Sequence, residues 1–154
     1  MASDTVTLRP VTIDMLGECL TSMELTFGTF GEHGLCLPFR QHYITFTQQT
    51  QASSLATWVA HSNWNRKLNI AHMPLAKNTV QAHNATSFAP HIWLVVPDDG
   101  FIYFSMSWTF GWSIGATPQQ VTTEINMAIA AISTVFDALN STFPDSWTEL
   151  EDAE

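Results

Sequence analysis

The strongest constraint on the fold is segment 117–145, which has the pattern of one long amphipathic helix. Thr117 is a candidate N-cap, and Pro118 suits the first helical position. Apolar side chains then recur at helical spacing, at Val121, Ile125, Ala128, Ile129, Ile132, Phe136, Leu139 and Phe143. We expect Thr122, Asn126, Thr134 and Asn140 to point away from this stripe. Such a stripe must be buried against a sheet or another helix, so it predicts a layered fold.

The size of the chain predicts a single domain. With 154 residues, of which 45% are hydrophobic, it is long enough for one buried core and too short for two ordinary domains. We expect the domain to span 11–145, between a flexible N-terminus at 1–10 and an acidic flexible tail at 146–154.

The charge of the chain excludes two classes of partner. Five Lys and Arg residues stand against fourteen Asp and Glu residues, which gives a formal net charge of −9. A chain this acidic repels phosphate groups, so neither nucleic acid nor an anionic membrane is an expected partner. Only 12% of residues are charged, so much of the surface must be neutral or apolar.

The sequence predicts a cytoplasmic protein. Its two cysteines fit a reducing compartment, and the start MASDTVTLRP lacks the basic and apolar regions of a secretion signal. The apolar region 92–116 is interrupted by a proline and two aspartates, so we do not expect it to span a membrane.

One helical pattern followed by three strand patterns occupies the first half of the chain. The helix begins at Thr12 and places Ile13, Leu16, Leu20 and Met23 on one face. Strands are predicted over 25–29, 35–47 and 55–61, with loops at 48–54 and 61–73. Pro38 should bend the second strand or keep it near a sheet edge.

A second helix and a hairpin are predicted before the C-terminal helix. The helix starts beyond Pro74 and ends before Pro90. The hairpin strands at 91–96 and 101–110 flank an Asp-Asp-Gly turn, in which Gly100 suits the left-handed conformation.

The loop length at this turn decides which hairpin side chains share a face, and a register slip of one residue would exchange the two faces. A three-residue loop places Ile92, Leu94 and Val96 on the core face with Ile102, Phe104, Met106, Trp108 and Phe110. Trp93 and Val95 then face outward beside Tyr103. Aromatic and branched side chains at outward positions would form an apolar patch typical of an interface. The alternative is that the second helix or the long loop of the same chain covers Trp93.

Together the patterns predict an α+β fold, with the order helix, three strands, helix, two strands, long helix and an antiparallel sheet packed by the helices. In this order the chain resembles the YbjN family, whose members have the fold of type III secretion chaperones. The matching residues are segment 117–144 with its Phe136-Asp137-Ala138-Leu139 core, Val11-Thr12-Ile13-Asp14, Val96-Pro97-Asp98-Asp99-Gly100 and Asn84. The Asn-x-Trp-Asn signature of the family is not kept at Asn84-Ala85-Thr86-Ser87.

The resemblance implies a function without an established reaction. Members of the family are described as bacterial candidates for sensory transduction regulators, so the chain is expected to be a non-enzymatic, homodimeric module that binds a protein client. In related chaperones the second helix and the adjacent sheet edge form the dimer contact. The expected interface residues are Val80, His83 and Phe88, with Trp93, Val95 and Tyr103 as second choices.

No residue pattern in the sequence predicts a cofactor, a metal site or a catalytic centre. The six histidines are scattered without metal-ligand spacing, at His33, His42, His61, His72, His83 and His91. Cys19 and Cys36 lack a redox motif, and Asp98 with Asp99 suits a turn better than acid–base chemistry. No nucleophile elbow or glycine-rich phosphate loop is present.

An alternative prediction is a small-molecule sensor. Six tryptophans occur in this short chain. An aromatic-lined pocket could use Trp58, Trp64, Trp108 and Trp112.

Overall fold

The computed structural model describes residues 7–50 and 56–144 of the chain. In chain order the elements are α1 (Ile13–Ser22), β1 (Gly28–Phe30), β2 (Gly34–Pro38), β3 (Tyr43–Thr50), β4 (Ala56–Asn63), β5 (Leu68–Asn69), a 3-10 turn (Ile70–His72), α2 (Met73–Thr86), β6 (His91–Val95), β7 (Phe101–Thr109) and α3 (Pro118–Thr142).

The strands form one antiparallel sheet. Its order is β1-β2-β3-β4-β7, and both β5 and β6 also pair with β7. All three helices contribute side chains to one core cluster, which they share with one face of the sheet. The predicted α+β fold is therefore confirmed, with helices packed on a single sheet face.

The C-terminal helix follows its predicted pattern. Thr117 and Gln120 form a reciprocal capping box, and Pro118 lies in the first turn. The buried stripe contains every predicted residue except Ile129, which is half-buried, and it also includes Val135. A helix of this length is stabilised mainly by that buried stripe, because isolated helices are marginal in water.

The structure differs from one strand prediction and two loop predictions in the first half. The predicted strand 35–47 is two strands, because the chain turns after Pro38 and the Phe39 N–H donates to the His42 carbonyl. The predicted loop 61–73 contains β5, where Leu68 pairs with Ile102. In the predicted loop 48–54, β3 continues to Thr50, and 51–55 lie outside the described residues.

The late hairpin has the predicted register. Gly100 has a φ of +82°, and Val95 pairs with Tyr103. Ile92 is buried on the core face as expected. The prediction that Val96 lies on the core face is wrong, because Val96 lies beyond β6 and is 50% exposed.

The ends of the domain are described only in part. The predicted tail 146–154 and residues 1–6 lie outside the described residues. Within the predicted flexible N-terminus, Arg9 exchanges two backbone hydrogen bonds with Ala116. Of the helices in the described regions, none is long and apolar enough to cross a membrane.

A three-ring stack joins the β2–β3 turn to α3. The His42 imidazole lies between Phe39 and Phe136, with centroid distances of 5.0 and 4.3 Å. Its Nε2 is buried without a hydrogen-bond partner. Burial lowers the pKa of His42 below its ordinary value of 6.5, so the neutral ring is the form that fits the stack.

We predict that His42→Phe stabilises the fold by about 1 kcal/mol at pH 7, because it keeps the stack and removes an unsatisfied polar atom. The gain should increase below pH 6.5, where the unfolded chain takes up a proton that the folded stack resists. Urea denaturation at pH 7 and pH 5 measures both effects. His33→Phe is the control, since His33 is 84% exposed. Equal pH dependence in wild type and His42→Phe would contradict the prediction.

Candidate functional site

The six predicted interface residues lie on two different surfaces. One surface includes α2 and the turn that follows it, and it carries Val80, His83 and Phe88. The other is the sheet face opposite the helices, where strand register places Trp93, Val95 and Tyr103. We name this second surface the outer face.

The outer face carries no Asp, Glu, Lys or Arg within the described strands. Strand register places on it Phe30, Cys36, Tyr43, Thr45, Thr47, Gln49, Thr57, Val59, His61, Asn63, His91, Trp93, Val95, Tyr103, Ser105, Ser107 and Thr109. Hydroxyl and aromatic side chains predominate in this set. In a chain of net charge −9, an uncharged surface has the composition of an interface centre.

Trp93 contacts two histidine rings at the β6 edge of the outer face. Its ring centroid is 5.7 Å from that of His61 and 6.0 Å from that of His91. The Trp93 side chain is half-buried by this arrangement. It is therefore held in place on the sheet and still presents one side to a partner.

A hydrogen-bonded chain fixes the orientation of His61. The Ser105 hydroxyl donates to Asn63 Oδ1 at 2.6 Å, so the His61 Nε2–H must donate to Ser105 Oγ at 2.8 Å. Burial lowers the pKa of His61, which favours this neutral ring. Ser105 is only 1% exposed, so its hydroxyl positions the histidine and is shielded from a substrate.

A groove lies between α2 and α3 on the helical side. Its volume is about 320 Å³, and it is lined by Thr79, His83, Ser87, Ala89, Pro90, Ile92, Ala131, Thr134, Val135, Ala138, Leu139 and Thr142. Its floor is apolar because Ile92 and Leu139 are buried core residues. Among the described residues that line it, none is an acid, a lysine or an arginine.

The three first-choice interface residues differ in their relation to this groove. His83 lines it, and its Nε2 is hydrogen bonded to the Pro90 carbonyl at 2.7 Å. Phe88 is fully exposed, between two residues that line the groove. Val80 is half-buried and packs against the core. Of the three residues, His83 and Phe88 therefore contribute to the surface at the groove, and Val80 contributes to the core.

Asn84 connects α2 to the sheet edge beside the groove. Its amide donates to the Ile92 carbonyl at 2.8 Å, and its Oδ1 accepts from the Ile92 N–H at 3.1 Å. Both outward backbone groups of Ile92 are thereby satisfied, so another strand has no hydrogen bonds to form at this point of β6. The sequence analysis singled out Asn84 by resemblance but assigned it no contact.

Most of the tryptophans proposed for a sensor pocket belong to the core. Trp58 is buried and donates to the Val11 carbonyl at 2.8 Å, and Trp112 is buried against Phe110. Trp64 is also buried and donates to Asn140 Oδ1 at 2.8 Å, which corrects the prediction that Asn140 points away. The groove is lined by none of the four tryptophans.

The carboxylate and thiol side chains considered for catalysis, and the candidate metal ligands, show no arrangement for chemistry among the described residues. Asp99 pairs with Lys67 at 3.0 Å and accepts from the Phe101 N–H, and the Lys67 hydrogen bond lowers the pKa of Asp99. Burial raises the pKa of the Cys36 thiol, which opposes thiolate formation. Within 7–50 and 56–144, no three His, Cys, Asp or Glu residues are placed to hold a metal ion.

Comparison with known proteins identifies the fold. No family model matches the sequence, and no curated protein matches it significantly. A crystal structure of YbjN from E. coli, described as "a putative transcription regulator", superposes with a TM-score of 0.70 at 20% sequence identity. The match covers 88% of this chain and 96% of YbjN. The chain therefore has a YbjN-like fold.

Proposed function

We propose that this protein is a non-enzymatic, cytoplasmic regulatory module with a chaperone-like role, which acts as a homodimer and binds a protein client. The uncharged outer face is the observation that carries the proposal. The likeness to YbjN, a protein described as a transcription regulator, supports a regulatory role.

The outer face is the better of the two surfaces for self-association. Two copies of a chain with a net charge of −9 repel each other. Contact through a face without charged side chains keeps the carboxylates of the two copies apart. A two-fold interface also uses the same patch on both copies, and one sheet face packed against its own copy meets that requirement. Trp93, Val95 and Tyr103 are then the contacts at the β6–β7 side of this interface.

Light scattering across a protein concentration series tests the proposal. We expect wild-type protein to have the mass of a dimer and Trp93→Glu to weaken the dimer by about 30-fold or more, because a two-fold interface would bury the new charge of both copies. The matched control is Ile114→Glu, since Ile114 is 80% exposed outside the sheet. Circular dichroism checks that each variant is folded.

Two outcomes would contradict the proposal. A wild-type protein that stays monomeric at every concentration would contradict the proposed homodimer. If Trp93→Glu dimerised as strongly as Ile114→Glu, the dimer interface would have to lie outside the outer face.

A further inference from the structure

His61 lies near the middle of the outer face. The strands of this face run in the order β1-β2-β3-β4-β7, with β6 on the far side of β7, so β4 is a central strand. On β4, His61 pairs with Thr45 of β3 on one side and with Ser107 of β7 on the other. A two-fold interface centred on the outer face therefore covers the His61 ring.

The surroundings of His61 suit the neutral ring. Its Nε2–H donates to Ser105 Oγ at 2.8 Å, and its ring centroid lies 5.7 Å from that of Trp93. Protonation adds a second N–H and a full positive charge to this ring. No Asp or Glu of the described strands shares the outer face, so a charge covered by a second copy has no carboxylate to pair with. Burial of such an unpaired charge is unfavourable.

Few other groups of the outer face can change charge near neutral pH. The other titratable side chains that strand register places there are Cys36 on β2, Tyr43 on β3, His91 on β6 and Tyr103 on β7. Thiols and tyrosine hydroxyls ionise above pH 8, and burial raises the pKa of Cys36 further. Residues 51–55, which join β3 to β4 in the sequence, include no titratable side chain. On the described strands of this face, His61 and His91 are therefore the groups that gain a charge between pH 7.5 and pH 5.

The two histidines differ in burial. His61 is half-buried in the single chain, whereas His91 is exposed on β6. Burial already lowers the pKa of His61, and cover by a second copy would remove more water from its ring. The dimer then takes up this proton less readily than the monomer does. The contribution of neutral His61 to the dimer is thus complete above pH 6.5 and is lost progressively as the pH falls below that value.

We infer that protonation of His61 separates the two copies, so that the outer face is an acid-sensitive interface; this inference rests on the proposed homodimer. At neutral pH the uncharged ring lies between the copies. In acid each copy carries a cation on a face whose described strands offer no carboxylate. Carboxylates elsewhere also begin to take up protons near pH 5, which reduces the repulsion between copies and acts in the opposite direction. A variant of His61 alone separates the two effects.

The experiment compares dissociation constants of the full chain at pH 7.5 and pH 5.0, measured by light scattering across a concentration series. His61→Gln is the test variant, because glutamine keeps an N–H for Ser105 and takes up no proton. We expect the ratio of the constants at pH 5.0 and pH 7.5 to be at least about tenfold larger in wild type than in His61→Gln, since each dimer contains two copies of His61. His33→Gln is the matched control and should keep the wild-type ratio, because His33 is 84% exposed in the turn between β1 and β2.

A second measurement needs no variant. In wild-type protein, nuclear magnetic resonance follows the titration of the His61 ring at concentrations above and below the dissociation constant. We expect a higher pKa of His61 in the monomer than in the dimer. Equal ratios in wild type and His61→Gln would overturn the inference, and so would equal pKa values in monomer and dimer. Either result leaves a dimer at pH 7.5, whereas a wild-type protein that is monomeric at pH 7.5 at every concentration would contradict the homodimer and this inference together.

Discussion

Replacement of Phe104 by alanine is expected to lower the free energy of unfolding by about 3 to 5 kcal/mol. Phe104 is completely buried, and its ring meets Trp64 edge-on at 5.2 Å and Phe143 at 5.5 Å. These three residues come from β7, the segment after β4 and the end of α3. The substitution therefore leaves a cavity where the sheet meets the last helix.

Urea denaturation followed by far-ultraviolet circular dichroism measures this loss. Phe88→Ala is the matched control, because Phe88 is fully exposed and its loss should change stability by less than about 0.5 kcal/mol. If Phe104→Ala lowered the free energy of unfolding no more than Phe88→Ala, the buried position of Phe104 in this aromatic cluster would be contradicted.

Replacement of Asn84 by alanine is expected to cost about 2 to 4 kcal/mol, a large effect for a half-buried polar residue. The variant loses both hydrogen bonds to Ile92 and leaves the N–H and the carbonyl of a β6 residue without their partners. It also exposes a sheet edge, so it should aggregate more readily on heating.

The measurement is the unfolding midpoint in urea, together with light scattering during thermal unfolding. Asn78→Ala is the control, since Asn78 is an exposed residue of the same helix. Similar stability of the two variants would show that the Asn84 amide does not secure β6.

Much of the fold was predictable where the signals are local. The capping box of α3 lies within Thr117–Gln120, and helical periodicity identifies its buried stripe. The late hairpin register follows from a turn whose Gly100 adopts positive φ. The prediction for 35–47 was wrong although the turn after Pro38 is local, since Phe39 N–H donates to the His42 carbonyl. The prediction for 61–73 was wrong because the two-residue strand β5 forms only by pairing with distant β7.

The outer face was predictable in part. Hairpin register alone placed Trp93 and Val95 on the side of Tyr103. It could not show that His61 reaches Ser105, because that contact joins residues 44 apart through the pairing of β4 with β7. The groove likewise escaped prediction, since the sequence does not specify how far apart α2 and α3 lie.

The sequence by itself determined the three helices, the buried stripe of α3 and the outward side of the late hairpin, because periodicity, capping and turn chemistry act over a few residues. It predicted three strands between α1 and α2, where the structure has five. Only the tertiary structure decided that His83 and Phe88 flank a groove, that Asn84 closes the edge at Ile92, and that the outer face is continuous and uncharged. These features depend on contacts between elements, and such contacts are set by the packing of the whole core rather than by any local pattern.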